Sequence, residues 1–177
     1  MTDNHSLFMY EYHTWANKTL ISHLQDLPDG SCRAPIKSVF PSIFEALMHV
    51  YIIDKGWLSL LMEEYQPDDY NAIQASVNDL IASTKNNSLQ ELEEKQQVLA
   101  EATVRFIMKN DMADSRDFAG VRMSYADVIQ HIVNHGTYHR GNITAMLHQL
   151  GHKGVPTDYG LYLYHTAADK HNHTKKQ

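Results

Sequence analysis

Between Ser124 and Gly151 the chain sets Val128, Ile132, His135, His139, Ile143, Met146 and Leu150 at three- and four-residue steps. Residues at those intervals share one face of an α-helix. Ser124 and Asp127 have the spacing of an N-terminal capping pair, and Gly151 is a natural C-terminal stop. So long a helix with a single apolar face needs other elements to cover that face, and three further stretches of the chain can supply them. Asn4 to Leu27 repeats Leu7, Met9, Ala16, Leu20, Leu24 and Leu27 until "PDG" ends it. A second helix starts at "PSIFE", where Ser42 and Glu45 again have capping spacing, and carries Leu47, Val50, Ile53, Trp57, Leu58 and Leu61 to "YQPDDYN". A third starts at "SLQE" and carries Leu89, Leu92, Leu99, Ala102 and Phe106 to about Lys109.

No segment alternates with period two, although "DFAGVRM" can form a small hairpin and "ASVNDLIAST" a short helical turn. The expected fold class is therefore all-α, a four-helix bundle. It forms one domain over residues 1–166, followed by a polar, mobile tail over 167–177.

Composition narrows the function classes. The net charge is −6, with no sustained run of Lys and Arg, which argues against nucleic acid or an anionic membrane as the main partner. No run reaches the roughly 18–20 apolar residues of a membrane span, and the N-terminus "MTDNHSLFMYEYH" lacks the pattern of a signal peptide. The single cysteine, Cys32, can form neither an internal disulfide nor a CxxC metal site. These features together imply a cytoplasmic location.

The count that stands out is 12 histidines. His165, His171 and His173 lie in the polar C-terminal stretch, where they can bind metal adventitiously. His131, His135 and His139 follow one another at four-residue intervals. Two imidazoles one turn apart can point at the same ion. All three cannot, because eight residues rise about 12 Å and a ligand nitrogen must lie about 2.0–2.1 Å from the metal. His135 and His139 sit on the apolar stripe of the helix, where an unpaired imidazole is costly to bury. His131 can share that face or sit at its edge, beside the ligands.

In a bundle the third ligand comes from a facing helix. His13 on the first helix and His49 on the second both qualify, and periodicity does not choose between them. His23 and His148 lie near helix ends and are less suitable.

The segments "LMHVYIIDKGWL" (47–58), "IVNHGTYHRGNITAMLHQLGH" (132–152) and "WANKTL" (15–20) resemble the DinB/YfiT-like family of metal-dependent four-helix bundles. The resemblance spans nearly the whole chain. It implies a metal triad of one histidine early in the second helix and two from the HxxxH pair of the last, here His49, His135 and His139. One departure is that Asn142 stands where the family commonly has glutamine after His-Arg-Gly.

Three imidazoles leave a divalent cation at least one open position, and nitrogen donors suit Zn or Ni, with Fe and Co also acceptable. The resemblance further implies transfer of a low-molecular-weight thiol, bacillithiol-like or glutathione-like, to an electrophilic substrate, and assembly as a homodimer. The alternatives are a metal-dependent hydrolase on the same site and a non-catalytic metal-binding or stress-induced helical protein.

Tyr138 and Arg140 are the candidate catalytic side chains. Packing against a neighbouring helix is the commoner fate for the first, and a structural ion pair for the second. Trp15 and Trp57 read as core or pocket wall, Asn17 as a solvated helix residue, and Asp54 and Glu45 as exposed carboxylates able to orient a ligand histidine.

Overall fold

The computed structural model describes residues 5–174, with side chains described to 167. Four helices form the bundle: α1 (His5–Gln25), α2 (Ile43–Leu61), α4 (Leu89–Lys109) and α5 (Tyr125–Gln149). Helices α1 and α2 each pack against both α4 and α5, so every bundle helix has two close neighbours. The all-α expectation holds. The described first helix starts at His5 and ends two residues before Leu27, where a backbone turn from Leu27 N–H to the Leu24 carbonyl closes it.

The serine caps work as the spacing implies. Ser88 and Ser124 each accept from the backbone N–H three residues on, while Glu91 and Asp127 reach back to the serine N–H. Such a cap is worth about 1 kcal/mol. At Ser42 the exchange is half made, because the hydroxyl accepts from Glu45 N–H but Glu45 Oε2 returns to the hydroxyl instead of the N–H.

Two helices exceed what the sequence suggested. The short turn expected around residue 80 is a full helix, α3 (Tyr70–Thr84), capped by Asp69 and packed on α2. Only Thr84 of it is buried, so Val77 and Leu80 give a thin apolar signal. After α5 the chain forms α6 (Tyr159–Thr174), which lies on α1. Tyr159 and Tyr162 pack there on Phe8 and Tyr12, and Trp15 packs on Tyr162. The tail expected from 167 is helical in backbone to Thr174, and its side chains from 168 lie outside the described residues.

The hairpin is real but small. Strands β1 (Ser115–Phe118) and β2 (Val121–Ser124) pair antiparallel across Ala119 and Gly120, whose φ angles of 55° and 87° belong to a tight two-residue turn. Asp117 Oδ1 accepts from Gly120 N–H at 2.7 Å and fastens it. No helix among the described residues is long and apolar enough to cross a membrane.

Candidate metal centre

The face that α2 and α5 present to each other brings His49, His135 and His139 together. A ligand nitrogen from each lies within 4.8 Å of the others. The ring centroids are 4.4 Å apart for His135 and His139, 4.7 Å for His49 and His139, and 5.1 Å for His49 and His135. The Nε2 atoms of His49 and His135 approach to 3.1 Å. Two nitrogens that bind one first-row ion at about 2.0–2.1 Å lie about 3 Å apart, so this pair already has the spacing of a shared ligand sphere.

The electrostatics agree with the geometry. Burial, and then the neighbouring His139, His49, His131 and His13, push the pKa of His135 down to about 3. His49 and His139 are also lowered, chiefly by burial, against an opposing pull from the Asp54 charge. Neutral imidazoles keep the lone pair that a metal requires. The buried Nδ1 atoms of His135 and His139 have no hydrogen-bond partner. A cluster of nitrogen donors with unused lone pairs and no nearby carboxylate bonded to it suits a cation better than it suits an empty core.

His139 is buried, whereas His49 and His135 are half-buried, so the cluster faces an opening. Aromatic rings edge it. Phe40 packs on His49 and His139, and Tyr138, 64% exposed, sets its ring edge against His139. His131 belongs to this edge and not to the cluster. It stands 4.9 Å from Trp57 and stacks 6.0 Å from His135.

His13, the other candidate ligand, joins a separate buried network. Its Nε2 lies 2.9 Å from Asp54 Oδ2 and 2.9 Å from Asn17 Nδ2, and the two compete for that single ring nitrogen. Donation to Asp54 leaves Nδ1 as an acceptor facing Arg140 Nη1 at 3.5 Å. Arg140 is only 3% exposed and donates to Asn17 Oδ1 (2.8 Å), Thr137 Oγ1 (2.8 Å) and the Tyr12 hydroxyl (3.4 Å). Burial lowers its pKa, and Tyr12 and Asp54 oppose the shift. The guanidinium is thus engaged inside the bundle, by neutral acceptors on α1 and α5.

Two expectations need correction. Asn17 is not solvated, because it follows His13 by one turn and points into the same buried seam. Asp54 is buried rather than exposed, and it orients His13 instead of a triad histidine. Glu45 is occupied with capping α2. The network itself escaped the sequence reading, yet it left a signal in "NHGTYHRG". A Cβ at Gly136 would come within 2.6 Å of His13 Nδ1 and 2.9 Å of Arg140 Nη1, so only glycine lets α1 approach so closely.

Of the remaining histidines, His23 Nε2 reaches the Lys153 carbonyl at 2.8 Å, His148 is exposed in the last turn of α5, and His165 packs on Trp15. The side chains of His171 and His173 lie outside the described residues.

A helical bundle with three histidines converging from two facing helices is the class of protein that this fold and site define. The model of the DinB family matches residues 1–175, and the chain belongs to that family. It is 36% identical over 168 residues to Protein DinB of Bacillus subtilis (strain 168), covering 92% of this chain and 95% of that one.

Proposed function

We propose that His49, His135 and His139 hold a divalent cation and that the protein uses it to transfer a low-molecular-weight thiol to an electrophilic substrate. The observation that carries this reading is a half-open cluster of three neutral imidazoles, which leaves coordination free for an incoming ligand. Zn or Ni fits the nitrogen donors best, and Fe or Co would also be accepted. The cation would supply Lewis acidity, lowering the pKa of a thiol held beside it.

The chain's own residues do the rest. The three imidazoles stay neutral because burial and mutual repulsion resist protonation. Phe40 and Tyr138 offer apolar surface for the body of the electrophile, and the exposed Tyr138 side chain stands against His139, where it can meet substrate. Arg140 holds α5 in register from behind. In the overall reaction the S–H proton passes to solvent and the sulfur pair forms an S–C bond. The broken bond's pair leaves with halide from an alkyl halide, or stays on the opened oxygen of an epoxide, which takes a proton from solvent.

The test is conjugation of bacillithiol and glutathione to an alkyl halide and an epoxide by metal-loaded protein. The expected result is thiol consumption with formation of the thioether, lost in His139→Ala. Metal-loaded protein that hydrolyses the same substrates without consuming thiol would point to a hydrolase. No turnover on either route, with metal bound, would leave a metal-binding protein without this chemistry.

A further inference from the structure

A second cavity lies away from the triad, between α1 and α4, with a volume of about 580 Å³. None of the three clustered histidines lines it. Its buried lining includes Asp54, Asn17 and Tyr10, its apolar wall includes Ile21 and Leu99, and Glu93, Glu94 and Lys18 also border it. The carboxylates outnumber the lysine, and the exposed Glu94 is an outer member of that acidic set.

The unusual atom is Asp54 Oδ1. Asp54 is 5% exposed, and while its Oδ2 is bound by His13, its Oδ1 has no hydrogen-bond partner. A buried carboxylate oxygen left unpaired is expensive, and native proteins rarely tolerate one without a ligand or water to satisfy it. Gln96, which also lines the cavity, presents a buried Nε2 without a partner.

We propose that this cavity binds an aliphatic diamine. One ammonium donates to Asp54 Oδ1, the methylenes lie on Ile21 and Leu99, and the second amino group meets Glu93 and Glu94. An ammonium matches the floor because it brings only donors and a positive charge to an acceptor that has neither. A methylene chain matches walls that offer it no hydrogen bonds. The site goes beyond thiol transfer and does not depend on it.

The experiment is isothermal titration of the full, metal-loaded chain with 1,4-diaminobutane, beside butane-1,4-diol as the uncharged probe of equal length. Saturable one-to-one binding of the diamine, with no heat from the diol, is expected. Asp54→Asn should weaken binding about tenfold or more, the scale of one charge-assisted hydrogen bond. Should that variant fail to fold, the rim pair Glu93→Gln and Glu94→Gln decides, and it too should weaken the diamine several-fold. His49→Ala should leave the affinity unchanged. The proposal is overturned if the diamine does not saturate, if the diol binds equally, if the rim pair has no effect, or if His49→Ala abolishes binding, which would place the amine at the triad.

Discussion

Two groups of histidine meet on adjacent faces of α5, and they differ in what their nitrogens have left to do. His135 and His139 face α2 and His49, with their Nδ1 atoms unpaired and the cluster only partly buried. Gly136 and Arg140, one residue further on and thus rotated by about 100°, face α1, where His13 has partners at both nitrogens. The same side chain is poised for a ligand in the first group and committed to the fold in the second. Ring nitrogens already satisfied on both sides separate His13 from the triad histidines more sharply than spacing does.

That contrast can be broken from either side. The largest effect on stability should come from the committed network. Asp54→Ala removes the acceptor that His13 Nε2–H bonds and the opposing charge felt by the buried Arg140, and a loss of about 3–5 kcal/mol in urea unfolding is expected. A loss below about 1 kcal/mol would mean that the network is incidental to the fold. Gly136→Ala should follow, at about 1–3 kcal/mol, because the new methyl group forces His13 and Arg140 apart. Its metal affinity should change far less than that of any triad variant.

The open group should instead register in pH. The pKa of His135 is about 3 in the fold against 6.5 for an ordinary histidine, so between those values the unfolded chain takes up a proton that the folded chain refuses. Stability of the metal-free protein should therefore be complete above about pH 6.5 and fall steadily as the pH drops toward 3. His135→Gln should flatten that slope, and an unchanged slope would show that the imidazole is not held neutral by the site. The smallest effect lies outside both groups. Ser124→Ala removes the cap of α5 and should cost about 1 kcal/mol in thermal unfolding while metal binding survives.

The sequence announced the parts of this comparison unevenly. The four bundle helices were legible because each buries a full apolar stripe and three begin at a capping serine. Helices α3 and α6 were not, since each rests on a single side of the bundle and, among the described side chains, buries few. The HxxxH pair could be read from the chain, but the choice of His49 over His13 could not, because it depends on the register between helices. Resemblance to the family chose His49, and the geometry places it in the cluster. Asn17 and Asp54 looked like surface residues because their type is usually solvated. Only the glycine between Asn134–His135 and Thr137 hinted that another helix pressed against α5 there.

The most direct test of the difference is metal content. Full-length protein with His171→Asn and His173→Asn, which removes two tail imidazoles that could bind metal on their own, would be loaded, dialysed and assayed by elemental analysis beside His49→Ala, His139→Ala and His13→Ala in the same background. Near-stoichiometric metal in the parent, lost in His49→Ala and His139→Ala but kept in His13→Ala wherever that variant folds, is the predicted result. A parent that stays metal-free after loading, or triad variants that keep their metal, would contradict the assignment of the open group as the metal centre.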